Sequence, residues 1–362
     1  MKIDLFSPFA PIMSGVVTYA EDLAAALEMR GIEVNRVQRS FWPSWRLGLP
    51  GIYSKPAAWR FDRALTLAVG PLYTRPENTK HTISHFHVSG GTFNYPVVKH
   101  FHHVQGRRVI TVHDQNFVTP SFRHPYDEVE QLRMLRASDL VIVHTRELEQ
   151  RLSFINPNIA VLGHGVCGQR FAIDPAEARQ RLGIRGPVVS HIGFLFNHKG
   201  IENLIKAVSQ VQATILVVGS GPDDEQIRRL ANFLCPGKII FRPHADDDEY
   251  PYYIAASDII VFPRIHSQGE CSGVLVQAMA AGKAIVAHNL GCFKELLAPD
   301  RGILTEPENI AELTAAIAVL LDDAALRSRY GAACRDFAHN TLEWSLIADR
   351  HIELYSQLGV GD

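Results

Sequence analysis

Short, continuous runs of apolar and β-branched residues alternate with amphipathic runs along this chain, and the alternation starts twice. A strand that is apolar at every position must be covered on both faces. Helices between such strands supply the cover, so the pattern demands parallel sheets in an α/β fold. In the first half the strand candidates are 3–7, 83–88, 109–113, 140–143 and 159–162. A helix is expected over 15–30, where Val16, Tyr19, Ala20, Leu23, Ala24 and Leu27 recur at three and four and Gly31 stops the run. The second half has strands at 188–193, 214–218, 238–241, 258–262 and 284–287, with a helix over 201–211. A polar stretch, 168–186, separates the halves. Two doubly wound domains facing a central cleft are therefore expected, with ligands at the carboxyl ends of the strands.

A length of 362 residues fits about two domains. Apolar residues at 46% and charged residues at 20% are those of a globular chain. The net charge of −2 gives no global field toward nucleic acid, so no nucleic-acid partner is expected. No apolar stretch approaches the length of a membrane span. The start, Met1-Lys2-Ile3-Asp4-Leu5-Phe6-Ser7-Pro8, places an acid and a proline where a signal peptide needs an unbroken apolar run. Five scattered cysteines (Cys167, Cys235, Cys271, Cys292, Cys334) form no close pair, which fits reduced thiols in a cytoplasmic protein. From Arg36 to Lys80 eight basic residues face two acids, and Trp42, Trp45 and Trp59 lie among them. Such a segment either packs on the first domain or forms an acceptor-binding face, with Trp42, Trp59 and Arg60 as contacts. Tryptophans beside cations suit peripheral contact at the inner face of a membrane.

Several stretches could carry chemistry. Ser14-Gly15 stands where the first strand hands over to the first helix, a place where a backbone can approach an anion closely. His113 ends a parallel strand. Lys199 sits at the start of a helix, where the dipole disfavours a cation unless an anion is bound. Ser272, Gly273 and Val274 open a helix whose first N–H groups are open to a diphosphate, with Arg264 and Glu270 before it and Gln277 within it. His85 and His87 share one face of a strand without a third ligand at an informative spacing, and Asp246-Asp247-Asp248 reads as an acidic helix start. No metal site is expected. Gly219-Ser220-Gly221-Pro222 lacks the third glycine of a dinucleotide fingerprint.

Together these stretches resemble the retaining glycosyltransferases of family 4, which have the GT-B fold. The spacing that carries the resemblance is Gly193…Lys199-Gly200, Val218-Gly219-Ser220-Gly221-Pro222, Ala255-Ala256-Ser257-Asp258…Phe262-Pro263 and Ser272-Gly273-Val274-Leu275…Gln277-Ala278-Met279-Ala280. His113-Asp114 and His164-Gly165-Val166 add to it. The resemblance implies a Rossmann-like acceptor-binding domain over 1–168, a Rossmann-like donor domain over 187–341, and a last helix, 342–362, crossing back to the first. It places Gly15 against the distal phosphate of the donor, His113 near the reacting carbon and Lys199 on the diphosphate. The helix start at Ser272, Gly273 and Val274 would hold diphosphate and sugar, and Gln277 stands where the family's second glutamate holds ribose hydroxyls. Three positions depart from the pattern. Phe194 replaces the arginine before the lysine, Gln277 replaces the second glutamate, and the first glutamate is shifted, with Gly269 in its place and Glu270 one residue later. Arg264 is the expected source of the missing cation.

The resemblance implies transfer of a sugar from a nucleoside-diphosphate sugar, a substrate and not a cofactor, to a hydroxyl of a glycan, lipid-linked or small-molecule acceptor. Retention and front-face attack belong to the same implication. Cations and a helix dipole can stabilise the leaving diphosphate without a metal. The alternative is a catalytically degenerate nucleotide- or glycan-binding protein on a GT-B scaffold, for which the altered glutamate pair speaks.

Overall fold

A computed structural model describes residues 1–7, 15–38, 79–88, 101–114, 125–243, 245, 248–297 and 299–359. Contacts divide it into two units. The first holds Met1–Gly165, Gln268–Cys271 and Trp344–Asp362, and the second Val166–Ser267 and Ser272–Glu343.

In the first unit, β1 (Lys2–Ser7), β2 (Glu33–Gln38), β3 (Thr82–Val88), β4 (Arg107–Val112), β5 (Leu140–Val143) and β6 (Ile159–Val161) form one sheet. Its order is β2-β1-β3-β4-β5-β6, and every pair is parallel. The central strand β3 is buried at all seven positions, as a strand covered on both faces must be. Alternate residues feed the two faces. Phe6, Phe86, Ile110 and Val141 pack on one side, and Ile3, Ile83, Val109 and Ile142 on the other. The second face is covered by the helices Gly15–Glu28 and Trp344–Gln357. The latter buries Trp344, Ile347, Ala348, His351 and Tyr355, one stripe at helical spacing. A Cβ on Gly165 would lie 2.4 Å from the Trp344 ring, so glycine there admits the indole.

In the second unit, β7 (Val188–Ile192), β8 (Thr214–Val218), β9 (Ile239–Arg242), β10 (Ile259–Phe262), β11 (Ala284–His288) and β12 (Ile303–Thr305) form a parallel sheet ordered β12-β11-β10-β7-β8-β9. Read from β9, this is the order 3-2-1-4-5-6 of a dinucleotide-binding fold. One face buries Leu204, Ile205 and Val208 of the helix Ile201–Val208 with Leu313 and Ile317 of the helix Ile310–Asp322.

The stretch 168–186 is folded and belongs to the second unit. Its helix Pro175–Leu182 is capped by Asp174 and closed by Gly183. Ala178 packs on Ala255 and Ala256, and Arg179 pairs with Asp258 at 2.7 Å. β2 and β12, absent from the strands expected from the sequence, each lie at one edge of their sheet, with β6 and β9 at the other edges. Among the described residues no helix is long and apolar enough to cross a membrane.

Candidate functional site

The strand order of the second unit has its switch point between β7 and β10, where chains leave the sheet in opposite directions and open a binding crevice. Two loops leave there, one carrying Lys199 and the other Arg264. Gly200 has φ +69°, and a Cβ on it would lie 1.8 Å from the carbonyl oxygen of Pro263. Ile265 N donates to the carbonyl of His198 at 3.0 Å. Glycine at 200 is thus the condition for the two loops to touch and bring both cations to the switch point. Arg264 is buried, and its carbonyl accepts from His288 Nδ1 at 2.9 Å.

Burial, then the charge of Arg264, pulls Lys199 down to about 7. Burial, followed by Lys199 and Arg264, holds His198 at about 4. Among the described residues no carboxylate pairs with Lys199. A buried lysine whose ammonium is disfavoured by burial and by a neighbouring guanidinium is suited to an anion that restores its charge.

The helix Gly273–Ala280 begins beside the same loop. A Cβ on Gly193, which has φ +138°, would come to 4.0 Å from Val274 Cγ2. Ser272 caps the helix, its Oγ accepting from Leu275 N at 3.4 Å. The N–H groups of Gly273 and Val274 precede the helix's own ladder and point outward along its axis. Gln277 Oε1 accepts from the Tyr250 hydroxyl at 2.7 Å. Its acceptor oxygen thus has a protein partner already, and sequence spacing gave no sign of Tyr250. Gly219 and Gly221 have a packing reason. A Cβ on them would lie 1.9 Å from the carbonyl of Gly193 and 2.2 Å from that of Leu195.

The remaining expected site residues fall in the first unit. Gly15 begins its helix, and among the described residues a Cβ there would meet nothing within 4 Å. No contact with the described residues therefore requires a glycine. His113 follows β4, is 9% exposed and has both ring nitrogens engaged, Nε2 with His87 Nδ1 at 3.0 Å and Nδ1 with His144 Nε2 at 3.2 Å. Glu270 lies in the Gln268–Cys271 segment, its Oε2 accepting from Gln268 N at 2.6 Å. Thr145 Oγ1 fixes that segment by donating to the Gly269 carbonyl at 3.0 Å. Ser14, Trp42, Trp59 and Arg60, with Asp246 and Asp247, lie outside the described residues. Among the described residues no group of three or more His, Cys, Asp or Glu could hold a metal ion.

Residues 186–323 match the family described as glycosyl transferases group 1. The chain is 32% identical over 206 residues to a GDP-mannose-dependent monoacylated alpha-(1-6)-phosphatidylinositol monomannoside mannosyltransferase of Corynebacterium glutamicum, covering 52% of this chain and 53% of the relative. It is 27% identical over 220 residues to the 2-deoxystreptamine glucosyltransferase of Streptomyces kanamyceticus, covering 56% of each. The chain spans about half the length of the curated relatives it matches. Among solved structures, sucrose-phosphate synthase from Thermosynechococcus elongatus superposes with a TM-score of 0.80 over 100% of both chains at 21% identity. HepE of Anabaena, solved in complex with UDP, gives 0.74 at 19% identity over 99% of this chain and 100% of that one. At such identities the likeness is one of fold, and the fold is GT-B.

Proposed function

We propose that the chain, whose residues 186–323 match the glycosyl transferases group 1 family, moves a sugar from a nucleoside-diphosphate sugar to a hydroxyl acceptor, with retention at the anomeric carbon and no metal requirement. The observation that carries this reading is the Lys199–Arg264 pair at the switch point between β7 and β10, next to the open start of the helix Gly273–Ala280. As the anomeric C–O bond breaks, negative charge grows on the leaving diphosphate. Preorganised cations and N–H dipoles stabilise that charge more than the ground state, which is the condition for faster chemistry. In this reading Arg264 does the work of the arginine that Phe194 replaces. Gly15 would admit the distal phosphate, and His113 and Glu270 would act beside the reacting carbon.

Two relatives bear on donor and acceptor. One is named as GDP-mannose-dependent and acts on a phosphatidylinositol mannoside; the other is named as a glucosyltransferase of 2-deoxystreptamine. A lipid-linked acceptor would give a role to the segment with Trp42, Trp59 and Arg60, and would place the protein at the cytoplasmic face of a membrane. Co-sedimentation with anionic liposomes tests that part, and no binding at low salt favours a soluble acceptor.

Titration calorimetry with UDP, GDP, ADP and dTDP in chelator tests the donor site. Binding of one diphosphate in preference to the others is expected. A metal requirement for binding, or no binding to any of the four, overturns the reading. One observation favours a second reading, a nucleotide-binding protein without turnover: the Tyr250 hydroxyl occupies Gln277 Oε1. Nucleotide binding without transfer from GDP-mannose or UDP-glucose to any hydroxyl acceptor would establish it.

A further inference from the structure

The face of the first sheet under helices Gly15–Glu28 and Trp344–Gln357 is lined with histidines. Tyr19 sits among them, its ring centre 4.8 Å from that of His113, 4.9 Å from His144, 5.0 Å from His164 and 5.4 Å from His87. His87, His113 and His144 form a chain of hydrogen bonds whose direction can be deduced from its end. The carbonyl of Leu162 can only accept, so His144 carries its proton on Nδ1 and donates it at 2.9 Å. Burial, with His164 beside it, holds His144 neutral, its pKa down to about 3. Its Nε2 is then a lone pair, and the contact at 3.2 Å requires the proton on His113 Nδ1. Burial, followed by the neighbouring His144, His87 and His164, also keeps His113 neutral. Its Nε2 is therefore an acceptor, and the contact at 3.0 Å requires a proton on His87 Nδ1. The chain ends at His87 Nε2, which is buried and has no hydrogen-bond partner among the described residues.

We infer that His144 and His87 are positioning residues that hold His113 in a single tautomer, Nδ1–H with Nε2 as acceptor. Any group that takes the place of His87 at that nitrogen must then be a hydrogen-bond donor, such as a sugar hydroxyl. The tautomer follows from the hydrogen-bond chain among buried, neutral rings, whereas the sugar rests on the glycosyltransferase reading. A second partner that fixes tautomer and ring orientation is how outer-shell groups tune a functional histidine.

Long-range ¹H–¹⁵N correlation NMR of the full chain, with histidines assigned by single substitutions, tests the inference. Nδ1–H signatures are expected for His87, His113 and His144 near neutral pH, and an Nε2–H signature at His113 overturns it. His144→Phe removes the acceptor. Nε2–H should then appear at His113, with the proton of His87 moving from Nδ1 to Nε2 so that the 3.0 Å contact keeps one donor, and turnover of GDP-mannose or UDP-glucose should fall about ten- to hundredfold with nucleoside-diphosphate affinity retained. His144→Gln, which can accept and donate at the same place, should restore both. A fall in turnover without a change of tautomer makes His144 structural and overturns the positioning role. If His144→Phe does not fold, His87→Phe serves: His113 should keep Nδ1–H, because His144 still fixes it, and loss of that signature overturns the inference. Should the tautomers stand while neither nucleotide sugar binds or reacts, the glycosyltransferase reading fails alone.

Discussion

Lys199 is the residue on which the proposed chemistry turns, and its environment makes that testable. Removing one preorganised group from a developing charge costs about 10²–10³-fold in rate, so Lys199→Ala should lower kcat/KM by about 10²-fold or more. Near-normal transfer would remove Lys199 from the mechanism. Its pH behaviour follows from burial and Arg264. With the pKa brought down to about 7, the ammonium dominates below that value and the neutral amine above it. Diphosphate affinity should therefore decline as pH rises from 6 through 8, and flat calorimetric titrations over that range would contradict the assignment. Arg264→Ala removes the neighbouring charge, so the midpoint should move upward while diphosphate affinity falls. Lys199 was legible in the sequence because a lysine at a helix start breaks a local electrostatic rule. The Tyr250–Gln277 bond was not, since the partners lie 27 positions apart in the chain and no periodicity connects them.

At the scale of elements, two glycines make opposite predictions. Gly200 combines a left-handed φ of +69° with a Cβ position 1.8 Å from a carbonyl oxygen. Gly200→Ala should cost about 1–3 kcal/mol and separate the two cation-bearing loops, lowering Tm and nucleotide affinity together. Gly15→Ala meets nothing among the described residues. It should leave Tm unchanged or slightly raised, by up to about 1 kcal/mol in stability, yet weaken nucleotide binding if a phosphate approaches that backbone. A thermal melt beside a binding isotherm for each variant separates the cases. A Gly15→Ala variant that melts early would show the glycine to be structural. The strands read from the sequence are those with continuous apolar runs. β2 escaped because it is an edge strand with polar residues that bond sideways, Asn35 to Asp4 at 2.7 Å and Arg36 to Glu21 at 3.1 Å. β12 has only three residues. The helix Pro175–Leu182 was hidden by its polarity, because only Ala178 is buried.

Across the whole molecule, buried neutral histidines are distributed unequally, and this should set how the protein responds to acid. In the first unit His85, His87, His113, His144, His164 and His351 all have pKa values lowered, mainly by burial, to about 4 for His164 and His351 and about 3 for His144. Among the described residues of the second unit only His191, His198 and His288 are lowered. The unfolded chain takes up protons on these rings below about pH 6.5, and the folded rings, their pKa values lowered mainly by burial, take them up only at lower pH. The stability each neutral ring contributes is therefore complete above pH 6.5 and is lost as pH falls from there toward the folded value. The loss is about 1.4 kcal/mol per pH unit per ring, against a domain stability of about 5–15 kcal/mol. Six such rings in one unit make its stability fall more steeply with acid than three do in the other. Hydrogen exchange between pH 7 and 4, corrected for intrinsic rates, should show β3 and β4 losing protection before β7 and β10. Loss in the reverse order, or at one common pH, would mean that the histidine core does not govern acid unfolding. The sequence hinted at this core only through His85 and His87 on one strand face. His144, His164 and His351 come from three other segments, and only the packed sheet brings their rings together around Tyr19 and His85.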